Sequence, residues 1–249
     1  MLVVAALNGG RSPADHPAMP VSPVQLAQAT AEAAVAGAGA VHFHVRGADG
    51  RESLAAGDVA GAVAAVRRLG VPFGISTGAW IIAEPARRLA VLREWTAFPD
   101  FVSINFDEEG AADLASFFLE HDVTIEAGVA NPFAAEQLAR SGIANRCLRI
   151  MFEPREQIAA DAMTAVAEAE AVLDAAALRS PRLLHGVNAT AWELVDAAGA
   201  RGYATRIGFE DSLTLPDGRL AGGNGELVRA ALARLAGAGK GTAANSVSS

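Results

Sequence analysis

SPVQLAQATAEAAVAGAGAVHFHVR, residues 22–46, is the stretch from which the fold can be read. Ser22 offers an N-cap hydroxyl directly before Pro23, and proline suits the first helical position because the N–H it lacks would have no partner there. Small and apolar residues then continue at helical spacing to Gly37, whose access to positive φ makes it a helix stop. The segment predicts a helix over Pro23–Ala36. Directly beyond it, Ala40–Val45 is a short apolar run of the kind that forms a buried strand.

The same alternation of apolar run and Ala-rich helical segment extends along the whole chain, which is the signature of βα units around a parallel sheet. Strands are expected at Leu2–Leu7, Ala40–Val45, Pro72–Ser76, Phe101–Asn105, Val123–Gly128, Cys147–Phe152, Arg182–Val187 and Ala204–Phe209. Helices are expected at Pro23–Ala36, Gly57–Leu69, Glu84–Trp95, Ala111–Glu120, Ala134–Ser141, Ile158–Ala176, Ala191–Gly199 and Glu226–Ala236, with Gly70 and Gly199 as further stops. Eight repeats in 249 residues predict an α/β fold, a (β/α)8 TIM barrel. A doubly wound open sheet gives a similar rhythm, and the number of strands at this length points to the closed form. The catalytic barrel domain is expected over residues 1–236, followed by a flexible tail over 237–249, GAGKGTAANSVSS, which has too little apolar surface to bury.

Composition narrows the function classes. Apolar residues make up 51% and charged residues 19%, enough for a large core, and a net charge of −8 with scattered Lys and Arg argues against a nucleic-acid partner. No uncharged apolar stretch reaches the roughly 18 residues of a membrane span, and MLVVAAL at the start reads as a strand. Cys147 is the single cysteine, set in the apolar run CLRIMF, so it reads as a buried thiol. The expectation is a cytoplasmic enzyme without membrane contact.

In a barrel every strand delivers its C-terminal residues to one face. The second run ends His42-Phe43-His44, and a period of two points both imidazoles to the interior while Phe43 and Val45 face the helices. That pair suits Zn2+ or a similar borderline ion; a hydrogen-bonded histidine pair in the core is the alternative. The eighth run ends Glu210-Asp211, adjacent acids that mark a solvated turn in many proteins but here would close on the histidines across a barrel. Two His and one Glu match the ligand count of a catalytic ion with an open coordination position. Asn8-Gly9-Gly10-Arg11, Ser76-Thr77-Gly78, Ser103, Asn105, Glu126 and Asn188 are further polar residues at strand ends. His185 reads as a packing residue, and His16 and His121 as loop and helix-end residues.

ALNGGRSPADHPAMPVSP, GAGAVHFHVRGADGR, GISTG and RIGFEDSLTLPDGRLAGGNGELV together resemble the β-keto acid cleavage enzymes, typified by 3-keto-5-aminohexanoate cleavage enzyme, over nearly the whole chain. The His-x-His pair and the R-x-x-x-E-D block are its specific parts. The resemblance implies Zn2+, or another divalent metal, on His42, His44 and Glu210, and a retro-Claisen route that turns a β-keto acid and acetyl-CoA into acetoacetate and a new acyl-CoA. It makes Asp211 the general base, Arg206 its charged partner, Glu126 a further acid and Ser76 a substrate contact. Asn8, Ser103 and Asn105 are expected to complete the substrate site, although the chain is short between Ser103 and Gly110 compared with the family. Relatives that act on an amino-substituted substrate carry an acid where this chain has Arg11. An anionic far end, as in a β-keto diacid, is therefore expected. The resemblance also implies a homo-oligomer, a tetramer. Two other readings fit the same residues: a metal-dependent aldolase or lyase that uses no CoA, and a metal-binding barrel without catalysis.

Overall fold

A computed structural model describes residues 1–243, with side chains through Gly237. Eight parallel strands, β1 (Val3–Ala6), β2 (Ala40–Phe43), β3 (Phe73–Ser76), β4 (Phe101–Asn105), β5 (Thr124–Val129), β6 (Arg149–Phe152), β7 (Arg182–Leu184) and β8 (Ala204–Ile207), close into a barrel. Closure is made by β1, which pairs with β2 on one side and β8 on the other. The strands alternate with α1 (Pro23–Ala36), α2 (Ala56–Arg67), α3 (Pro85–Leu92), α4 (Ala111–Glu120), α5 (Pro132–Ser141), α6 (Ala159–Ala175), α7 (Ala191–Arg201) and α8 (Asn224–Ala243). This is the expected (β/α)8 barrel.

Local chemistry explains several boundaries. Ser22 and Gln25 form a reciprocal capping box at the start of α1, and Gly37 ends it with φ 106. The sixth and seventh strands are shorter than their apolar runs, because the flanking residues leave the sheet to build loops. Gly199 is a correction: it lies inside α7, and Gly202, with φ 70, supplies the left-handed stop. A Cβ on Gly199 would stand 2.9 Å from Leu235 of α8, so the glycine there serves close helix packing. A second difference is α8, which continues past the expected end at Ala236 to Ala243; the rest of the tail, 244–249, lies outside the described residues. Among the described residues no helix is long and apolar enough to cross a membrane. Cys147 is buried, and burial pushes its thiol up to about 12.

The two faces of the sheet have different chemistry. Outward residues such as Phe43, Val45, Phe73 and Ile150 pack with the helices in the large core. Inward, Val4, Ala40, Phe101, Met151 and Leu183 form a second apolar cluster. Gly74 makes room for it, since a Cβ there would stand 2.1 Å from the Phe101 ring. Farther along β2 and β4 the interior changes to His42 and Ser103, which gather with Glu126, Arg149 and Arg206, all buried.

Candidate metal and acid-base site

His42 ends β2 on its inner face and His44 follows in the same parity, as the strand period requires. Glu210 reaches them from the turn after β8, two strands away. Gly9 makes that approach possible: at φ +55, a Cβ on it would stand 2.3 Å from Glu210 Cγ. The result is a compact cluster. His42 Nε2 lies 3.7 Å from Glu210 Oε2, His44 Nε2 lies 3.4 Å from Glu210 Oε1, and one ligand atom from each residue falls within 4.8 Å of the others. The two imidazoles meet edge to face at 82°, with centroids 5.4 Å apart.

These donors fit a divalent cation. Glu210 Oε2 is buried without a hydrogen-bond partner, and a buried carboxylate oxygen left unpaired beside an imidazole nitrogen is what an ion would satisfy. The far side of each ring is held. Ser103 Oγ donates to Glu126 Oε2 at 2.7 Å and lies 3.1 Å from His42 Nδ1, so it can accept the Nδ1 hydrogen bond and leave the Nε2 lone pair free for an ion. Glu126 Oε1 in turn accepts from Arg149 Nε at 2.5 Å. On His44 the corresponding partner is Glu52, whose carboxylate contacts Nδ1.

Burial and neighbouring charges divide the two histidines. Burial, with help from Arg206, drives His42 down to about 4 against the pull of Glu210, so its ring is neutral. Burial also works against a charge on His44, but Glu210 and Glu52 outweigh it and hold that ring up to about 9. Glu210 itself is kept well below the usual carboxylate range: burial raises it, and Arg206 and both histidines more than offset that.

Beside the cluster lies a buried acid-base network. Arg206 Nη2 donates to Asp211 Oδ1 at 2.7 Å and to Glu210 Oε1 at 3.1 Å, so one guanidinium holds both acids. Asp211 is fully buried and its Oδ2 has no partner. His185, read from sequence as a packing residue, is indeed fully buried, yet its Nδ1 lies 3.4 Å from Asp211 Oδ1 and its Nε2 lies 3.3 Å from Glu153 Oε2. Burial and Arg206 push His185 down, but Asp211 and Glu153 lift it to about 9, while Glu153 is brought to about 2 against burial by Arg206 and His185.

A stability prediction follows from His185. Its folded pKa exceeds its unfolded one, so its contribution is complete below the unfolded value of about 6.5 and fades as pH rises through about 9. Thermal melting should therefore drop across that window, and His185→Gln should flatten the slope. Equal slopes for the two proteins would count against a charged His185.

A cavity of about 390 Å³ opens above these groups. Of the residues anticipated from sequence, His42, His44, Glu210, Arg206, Ser76, Ser103 and Asn105 line it. Others stand behind its wall. Asn8 accepts from His44 N at 2.8 Å and donates to His44 O at 2.9 Å, so it fixes the His44 backbone. Arg11 donates to Asn188 Oδ1 at 2.6 Å and to the Glu210 carbonyl at 3.3 Å. Glu126 and Asp211 are covered. Trp80, Glu153 and Arg155 line the cavity and Glu52 braces it, and none of the four was singled out from sequence. Glu153-Pro154-Arg155 directly follows β6, so the strand-end rule that found Asn105 could have found it. Glu52 had a weaker signal, the Asp49-Gly50 turn that folds the chain back beside β2.

A family model described as beta-keto acid cleavage enzyme matches residues 1–246. No curated protein sequence matches the chain. Among solved structures, apo ObcA superposes with TM-score 0.69 at 19% identity, covering 90% of this chain and 63% of its own. ObcA in a ternary complex with a C4-CoA adduct and oxalate gives TM-score 0.70 at 18% identity, covering 90% and 65%. This chain thus spans a little under two thirds of the length of the ObcA chains. The 3-dehydroquinate dehydratase from Aquifex aeolicus VF5 gives TM-score 0.55 at 15% identity, covering 94% and 97%. At these identities the likeness is one of fold.

Proposed function

The chain belongs to the β-keto acid cleavage enzyme family, and from that membership we propose that it condenses a β-keto acid with acetyl-CoA to give acetoacetate and a new acyl-CoA. The observation that carries this reading to the chain's own residues is the convergence of His42, His44 and Glu210 within 4.8 Å at the barrel mouth. A divalent cation held there, Zn2+ by the nature of the donors, supplies Lewis-acid stabilisation for negative charge that develops on the substrate's oxygens.

The chain's residues do the rest. Asp211 is assigned the proton taken from the carbon between the two carbonyls, at Oδ2, the carboxylate atom without a partner. Arg206 orients that carboxylate through Oδ1, and because any carboxylate is a weak base the step depends on charge stabilisation at the neighbouring cluster. Ser76 and Asn105, both in the cavity wall, offer polar contacts to the substrate. Ser103 and Glu126 hold His42 from behind, a supporting role beside the one the family resemblance implies for Glu126. The same proposal includes assembly of the chain into a homo-oligomer, a tetramer.

The substrate we propose is a β-keto diacid. Arg155 and Arg206 line the cavity, and Arg11 stands behind its wall against the Glu210 carbonyl. Oxaloacetate, described as bound to the similarly folded ObcA, is a β-keto diacid and the natural first substrate to try. In a panel of β-keto acids with acetyl-CoA, dianionic substrates should turn over faster than cationic ones. Preference for a cationic substrate would refute the diacid, and turnover without acetyl-CoA would replace the acyl-transfer reading with an aldolase or lyase.

A further inference from the structure

His44 is gripped from two loops. After β2 the chain turns back as a hairpin, with Arg46 bridged to Glu52 and Ser53 N donating to Val45 O at 2.9 Å. That fold places the Glu52 carboxylate on His44 Nδ1. From the loop after β3, Trp80 Nε1 lies 3.1 Å from both Glu52 oxygens, while the indole ring stacks over His44 at 5.8 Å and 24°. Gly78 admits the indole, since a Cβ there would stand 2.2 Å from it.

Resting on the metal site proposed above, we propose that Glu52 is a positioning residue that orients His44 toward the cation, with Trp80 holding Glu52 in place. The physical reason is the two-sidedness of imidazole. Either ring nitrogen can bind a metal, and the acceptor on one nitrogen decides which lone pair is presented by the other. With the Nδ1 proton directed to Glu52, Nε2 faces Glu210 and His42. Without that acceptor the ring can rotate, and the ligand set loses its shared focus.

Zinc titration of the metal-depleted full chain by calorimetry tests this, together with 15N-resolved NMR of the histidine rings in the zinc-loaded protein. Glu52→Ala should weaken zinc binding by about 10- to 100-fold, and the hydrogen-bonded Nδ1 proton of His44 should vanish from the spectrum. Glu52→Gln, which keeps an acceptor oxygen, should recover most of the affinity and the proton signal. Trp80→Phe keeps a stacking ring but removes the indole donor, and is expected to weaken binding less than Glu52→Ala; should Glu52→Ala fail to fold, this variant decides. Zinc affinity and His44 signals unchanged in the folded variants would overturn the role of Glu52 while leaving the metal site intact. A wild-type chain that binds no zinc would overturn both.

Discussion

Asp211→Asn should cut turnover by about 10²- to 10⁴-fold, the usual contribution of a general base, while zinc content stays at the wild-type level. The asparagine keeps the side chain's size, and its Oδ1 can still accept from Arg206 Nη2, the bond that measures 2.7 Å in the wild type. What it cannot do is take a proton. Fold damage should be limited, because Arg206 retains Glu210 at 3.1 Å and so is not left without an anionic partner. The measurement is kcat for acetoacetate formation alongside elemental analysis of the same preparation. Wild-type turnover would remove Asp211 from the chemistry. Loss of zinc from a folded variant would instead make Asp211 part of the support for Glu210.

The second large effect is expected from the ligands. Glu210→Gln and His42→Ala should each lose the ion and, with it, transition-state stabilisation of several kcal/mol, or about a thousandfold or more in rate. The two variants disturb different surroundings. Glutamine at 210 removes a charge facing Arg206 and both histidines, whereas alanine at 42 leaves Ser103 without the ring it holds at 3.1 Å. Agreement between them would therefore point to the shared ion and away from either local network. Variants that melt near the wild-type temperature yet turn over normally would contradict the assignment.

Much of this arrangement is legible in the sequence because it depends on local rules. Ser22-Pro23 and Gly37 mark one helix residue for residue, and the alternation that follows is dense enough to fix a barrel. His42 and His44 follow from the two-residue period of a strand, and Glu210 from its place at the end of the last strand. The rest depends on three-dimensional register. That Arg206 spans two acids, that His185 lies between Asp211 and Glu153, and that Asn8 faces the His44 backbone all arise only when the sheet closes. Glu52 and Trp80 come from separate loops, and no spacing in the chain connects them. Gly199 shows the opposite error: a glycine read as a stop serves helix packing, because tertiary contact with Leu235 outranks its local preference.

The most direct test of the metal centre is elemental analysis of the purified chain, coupled to turnover of acetyl-CoA and a β-keto acid before and after chelation. One divalent ion per chain is expected, with activity lost on chelation, restored by zinc, and not restorable in Glu210→Gln. Full activity in chelated protein free of metal would contradict the account at its centre.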